Sequence, residues 1–116
     1  MAVKSYSVLI NNKISEFNKV INVDPDKSIS IRAFLIGSIS QGVSKISDAL
    51  LSEDVFSTIN CLRKLNCKII KKSKNEYEVF GKGLGSYYAK KNTLLNLGNS
   101  GTGLRLISSI ISTTPD

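Results

Sequence analysis

A mixed α/β fold is what this chain predicts, and three observations predict it. Short segments of alternating polarity recur between longer apolar or amphipathic stretches, which is the pattern of strands exchanging with helices. Turn-forming residues punctuate the junctions, at Asn11-Asn12, Asp24-Pro25-Asp26, Ser73-Lys74-Asn75 and the glycine-rich run 81–85. A length of 116 residues with 41% hydrophobic content suits one ordinary domain with a modest core.

Residues 6–10 and 17–23 alternate and read as two strands joined by the Asn11-Asn12 turn. Asp24-Pro25-Asp26 then makes a turn that can cap a helix, and residues 28–40 are apolar on nearly every side, predicting a helix buried all round that ends at Gly42. Residues 43–46 follow as a strand. Ser52-Glu53-Asp54 is a helix-start signal, and Val55, Phe56, Ile59, Leu62 and Leu65 recur at three-to-four spacing behind it. Asn66 stands where a left-handed C-terminal residue is expected, since its short polar side chain tolerates positive φ. Residues 67–72 and 76–80 form a hairpin across Ser73-Lys74-Asn75, and residues 93–97 supply one more strand. A last helix runs from Leu104 to Ile111.

The net charge of +7 favours anionic partners: nucleic acid, acidic lipid or a small phosphorylated metabolite. The lysine run Lys68, Lys71, Lys72, Lys74 reads as a solvated strand edge. Because the chain has no histidine, it contains no imidazole base, no His-ligated zinc and no Ser/His/Asp triad. Cys61 and Cys67 fit neither CxxC redox nor zinc spacing and read as reduced thiols in or near the core, so no metal is expected. The start of the chain lacks a leader pattern and no stretch approaches a membrane span, which makes the cytoplasm the expected location.

The most specific feature is Gly98-Asn99-Ser100-Gly101-Thr102-Gly103-Leu104-Arg105, a glycine turn running into a helix. Three glycines permit positive φ and close approach of a ligand to the backbone, and the helix start offers amides and the positive end of its dipole. Arg105, one turn in, adds a two-pronged donor for carboxylate or phosphate. The turn is not a Walker loop, and Leu106 replaces the last glycine of a dinucleotide fingerprint. Alone it is more readily a bare strand-to-helix turn than a ligand site. An echo stands earlier in the chain: Lys27-Ser28 with Arg32, like Asn99-Ser100 with Arg105, places small polar residues at a helix start and an arginine one turn later, so two helix N-termini are expected at one site.

Together, residues 26–33 (Asp-Lys-Ser-Ile-Ser-Ile-Arg-Ala) and residues 98–105 resemble the N-terminal region of the 5-enolpyruvylshikimate-3-phosphate synthases. Leu50-Leu51-Ser52-Glu53-Asp54-Val55, the helix end at residues 60–66 and Val79-Phe80-Gly81-Lys82-Gly83-Leu84 match between them, in order and approximate spacing, so the resemblance covers the chain from about residue 20 onward. It implies βαββαβ units of an inside-out α/β barrel. Residues 1–24 would be a strand pair belonging to the other domain, and residues 25–116 part of the N-terminal domain: one unit and the start of a second.

The resemblance implies transfer of the enolpyruvyl group of phosphoenolpyruvate to the 5-hydroxyl of shikimate 3-phosphate, without metal or organic cofactor, in a family that is usually monomeric. Lys27 would act catalytically and touch both substrates, and Ser28 and Arg32 would bind shikimate 3-phosphate. Gly101, Asn99 and Thr102 would line the phosphoenolpyruvate pocket, with Asp54 and Arg105 in orienting roles. Ile31 stands where the family commonly has histidine, a packing change within a helix. Members of the family are several times longer, and their second domain supplies the principal acid/base groups. The chain therefore reads as a fragment, cut short after its last helix, marginally stable and inactive alone, whose partner is the remaining portion of the same enzyme.

Two other readings stand beside it. The UDP-N-acetylglucosamine enolpyruvyl transferases share the chemistry, but their first motif has Asn after the lysine where this chain has Ser28. A small basic nucleic-acid-binding module would suit the charge, but Tyr77, Phe80, Tyr87 and Tyr88 do not form the paired aromatic motifs of an RNA-recognition sheet. Neither nucleic acid nor a membrane is therefore an expected partner.

Overall fold

The computed structural model describes residues 5–115; the expectations for the start and the end of the chain that fall on residues 1–4 and 116 lie outside the described residues. Three helices and a three-stranded sheet make up the fold, in the order α1 (Lys27–Ile39), β1 (Gln41–Ser47), α2 (Glu53–Lys64), β2 (Lys68–Lys71), β3 (Glu76–Lys82) and α3 (Gly101–Ile111).

α1 begins one residue earlier than its apolar run because Asp26 is a working N-cap, its carboxylate accepting from Ile29 N at 2.8 Å. The helix stops at the Ser40 cap, whose backbone turns extended, so Gly42 lies inside β1 at φ 99° rather than ending the helix. Burial all round is not what the fold provides. Ile31, Phe34 and Leu35 are buried, while Ile29 and Ile36 stay exposed, because the sheet and α2 cover only one side of α1.

α2 carries the acidic residues Glu53 and Asp54 in its first turn and Arg63 and Lys64 in its last, the polarity that complements the helix dipole. Its apolar face, Val55, Ile59 and Leu62, is buried. Asn66 takes φ 67°, the left-handed conformation expected after the helix, and β2 starts two residues later.

β3 lies at the centre of the sheet, antiparallel to β1 on one side and to β2 on the other. β1 and β2 therefore run parallel and are joined through α2. The register sets Ile46 beside Tyr77, and Val79 between Ser44 and Ile69. These side chains face the helices, and Phe34 of α1 meets Tyr77 edge-on at 5.4 Å. Gly81 lets the end of α1 come down onto β3: a Cβ there would stand 2.2 Å from Ser40 O and 2.3 Å from Gly37 O.

Two sequence expectations fail, each for its own reason. Residues 6–10 and 17–23 form no ladder, and every residue from 5 to 26 is exposed. Alternation supplies one apolar face, but a lone strand pair without a third strand or a covering helix has nothing to bury that face against. Residues 93–97 join no sheet. Their carbonyls are taken instead by side chains of α2: Lys64 Nζ donates to Leu94 O at 2.9 Å and Cys61 Sγ to Asn96 O at 3.3 Å. The segment is anchored by Leu97, which is buried.

Candidate functional site

The glycine turn is shorter, and its helix longer, than the sequence pattern suggests. Of its three glycines only Gly98 has positive φ, at 56°; Gly101 and Gly103 lie within the first turn of α3. Ser100 is the reason. It is buried, and its hydroxyl accepts from Gly103 N at 3.0 Å as an N-cap, which draws the two glycines into the helix. Gly98 N donates to the Asn96 side chain at 2.9 Å and Gly101 N to Asn99 O at 3.1 Å, fixing the turn before the cap.

The two later glycines then serve different ends. At Gly103 a Cβ would stand 2.8 Å from Ser100 Oγ and 3.2 Å from Thr58 Oγ1, so α3 seats closely on α2 there. At Gly101 a Cβ would meet nothing nearer than the Arg105 guanidinium, at 3.9 Å, so its open side faces away from the core. Gly101 and Arg105 are thereby brought to the same side of α3, and Thr102, half-buried, lies between Gly101 and Gly103.

On α1, Lys27 is the first helical residue, and its ammonium reaches across to Asp54 Oδ2 at 2.7 Å. The lysine side chain is 48% exposed and the aspartate side chain 19%. A pair this open contributes about 0–1 kcal/mol to stability, so its main effect is to hold the ammonium in one place at the helix start. Arg32 Nη1 donates back to Ser28 O at 3.1 Å, which keeps Ser28 and Arg32 together on the exposed side of α1.

Asp54 also lines a depression of 530 Å³ with Glu53, Phe56, Ser57, Asn60, Gly98 and Asn99. Around it, the N-terminal turn of α2 sits between the start of α1, through Lys27, and the approach to α3, through Gly98 and Asn99. The turn borders a second depression, of 430 Å³, lined by residues 95–101 and Leu104. The sequence-derived candidates thus fall into two groups, Lys27-Ser28-Arg32 and Asn99-Gly101-Thr102-Arg105, with Asp54 between them. Neither Arg32 nor Arg105 lines either of these two depressions.

Sequence reasoning missed Ser57, Thr58 and Asn60. Thr58 was detectable as the residue four after Asp54, on the same helix face. Among the described residues no group of three or more His, Cys, Asp or Glu side chains is placed to hold a metal ion, and no helix is long and apolar enough to cross a membrane. Both cysteines are free and buried; burial pushes the Cys61 and Cys67 thiols above their ordinary value, which opposes a nucleophilic role.

Comparison with known proteins bears on the family of the chain. The chain is 48% identical over 93 residues to the 3-phosphoshikimate 1-carboxyvinyltransferase of Thermoanaerobacter sp. (strain X514), covering 80% of this chain and 21% of that protein. It is 45% identical over 98 residues to the protein of the same name from Bacillus cytotoxicus, covering 84% and 23%. The chain thus spans about a fifth of the length of the curated relatives it matches. Among solved structures, EPSP synthase from Acinetobacter baumannii superimposes with a TM-score of 0.71 at 30% identity, over 81% of this chain and 21% of that one. The family model for EPSP synthase (3-phosphoshikimate 1-carboxyvinyltransferase) matches residues 11–115, and the chain belongs to that family.

Proposed function

We propose that the chain forms one wall of the active site of an enzyme that transfers the enolpyruvyl group of phosphoenolpyruvate to the 5-hydroxyl of shikimate 3-phosphate, releasing phosphate, on the route to chorismate and the aromatic amino acids. The observation that carries this reading is the Lys27–Asp54 pair, which fixes an ammonium at the start of α1 beside the helix that borders the glycine turn. Both substrates bear phosphate and carboxylate groups. Helix starts, a held lysine and two exposed arginines are the donors such ligands need.

In this reading Lys27 lies between the substrates and offsets their mutual repulsion. Ser28 and Arg32 bind shikimate 3-phosphate, Arg32 through its carboxylate. Asn99, Gly101 and Thr102 line the phosphoenolpyruvate pocket, where the open side of Gly101 leaves room for the ligand. Asp54 orients Lys27, and Arg105 extends the anion site along α3. The substrate hydroxyl gives up its proton and adds to the phosphate-bearing carbon of phosphoenolpyruvate as the methylene is protonated, and the tetrahedral intermediate then loses phosphate and a methyl proton, leaving the enol ether. The acid and base for those proton transfers would come from the remaining four fifths of a chain of the relatives' length, without metal or organic cofactor. Residues 5–24 would pack on that portion. Their exposed apolar side chains, among them Leu9, Ile10, Phe17, Val20 and Val23, suit such a partner. A cytoplasmic setting belongs to this reading, and the two free thiols suit it.

Titration of the ¹⁵N-labelled chain tests it. Shikimate 3-phosphate is expected to move the amide signals of Ser28 and Arg32, and phosphoenolpyruvate those of Asn99, Gly101 and Thr102. Lys27→Met is expected to weaken both ligands by roughly tenfold or more, since charge-assisted bonds are lost, and to change stability by no more than about 1 kcal/mol. Absence of any response to millimolar ligand would sink the reading, as would phosphate release by the unaccompanied chain at an enzyme's normal rate.

A further inference from the structure

We propose that Thr58 is a positioning residue that sets the glycine turn at a fixed distance from the Asp54-held ammonium of Lys27. The inference rests on the proposed function, because it concerns how the same site is held together.

Thr58 is fully buried in the middle of α2. Its hydroxyl donates to the Asp54 carbonyl oxygen at 3.0 Å, which commits Oγ1 to one rotamer pointing toward the first turn of the helix. The same Oγ1 would lie 3.2 Å from a Cβ on Gly103, and Ser100 Oγ would lie 2.8 Å from it. The first turn of α3 therefore rests on this hydroxyl with no side chain between. On one side of the contact is Asp54, whose carboxylate holds Lys27; on the other is the cap that shapes Asn99, Gly101 and Thr102.

Valine has nearly the same shape but places a methyl group where the hydroxyl stands. It loses the bond to Asp54 O, and a methyl carbon cannot sit as close to α3 as an oxygen can. α3 must then back away by a fraction of an ångström while α1 is left in place. Serine keeps the hydroxyl and removes only the methyl.

Thr58→Val and Thr58→Ser are compared with the parent chain by ¹⁵N amide spectra and by titration with each substrate. The valine variant is expected to move the amide signals of Gly101, Thr102 and Gly103 and leave those of Ser28 and Arg32 in place. It is expected to weaken phosphoenolpyruvate by roughly tenfold, with shikimate 3-phosphate within about twofold, the size of effect that small misplacements produce. The serine variant is expected to restore both spectrum and affinity even if its melting temperature falls. The proposal is overturned if valine leaves the Gly101 to Gly103 signals unmoved, if it weakens both ligands equally, or if serine behaves like valine. Should the parent chain bind neither ligand, the functional reading fails, while the amide comparison still decides whether Thr58 positions the turn.

Discussion

Gly81→Ala is the substitution whose outcome the backbone geometry dictates most directly. The added methyl carbon would lie 2.2 Å from Ser40 O and 2.3 Å from Gly37 O, both backbone atoms at the end of α1. A carbon–oxygen contact needs about 3.3 Å, so α1 and β3 must separate by roughly 1 Å. That movement stretches the Gly83 N to Ser40 O hydrogen bond, now 3.0 Å, past a useful length. Its loss costs about 1 kcal/mol. Strain and disturbed packing of α1 against Val79 add about 2–3 kcal/mol. A total of about 3–4 kcal/mol is a large part of the stability of any small domain.

Gly42 is the natural control. It pairs with Gly81 across the sheet, but a Cβ there meets nothing within 4 Å, so Gly42→Ala costs only the strain of a φ of 99°. Urea unfolding followed by circular dichroism separates the two. Gly81→Ala is expected to lower the midpoint by about 2 M or more, or to prevent folding. Equal midpoints for the two alanine variants would refute the steric argument, because strain alone would then account for both.

Gly101→Ala is expected to leave the urea midpoint unchanged or slightly raised, because its methyl group enters open space beside Arg105 and alanine favours a helix. In the proposed site it weakens phosphoenolpyruvate and, more strongly, bulkier mimics such as glyphosate; an unchanged inhibition constant in an enzyme assembled with the remaining portion would count against it. Stability should also depend on pH at the alkaline end. Burial raises Cys61 and Cys67 above 9.0 and Tyr87 above 10.0, so the folded chain holds these protons more tightly than the unfolded one. Their contribution is therefore complete below pH 9 and declines as pH rises through the folded values. Urea midpoints that stay flat from pH 8 to pH 11 would contradict that assignment, with the range chosen to bracket ordinary thiol and phenol titration.

Much of the central fold was legible because its signals are local. Asp26 and Asn66 mark the ends of α1 and α2 by side-chain chemistry that needs no tertiary knowledge, and the β2–β3 hairpin follows from its turn. Residues 6–10, 17–23 and 93–97 were misread because alternation reports a preference for extended backbone, not the presence of a neighbouring strand. The helix start at Gly101 was hidden by glycine's reputation as a breaker, although Ser100 was in plain view as a cap. The two basic motifs could be found in the sequence. That Lys27 meets Asp54, 27 residues away, could not, since it depends on how α1 crosses α2.

Among the side chains of α2 that meet the site and its approach, Asp54, Thr58, Cys61 and Lys64 touch in turn Lys27, the start of α3, Asn96 and Leu94. They lie on one side of the helix at near-turn intervals, spread over about 15 Å of its length. α2 therefore acts as a ruler against which the otherwise ladder-free segment 93–103 is laid off. Each residue added or removed within α2 would rotate everything beyond it by about 100°. One such change would disengage several contacts at once, whereas a change of length before Ser52 would leave the spacing of the marks intact.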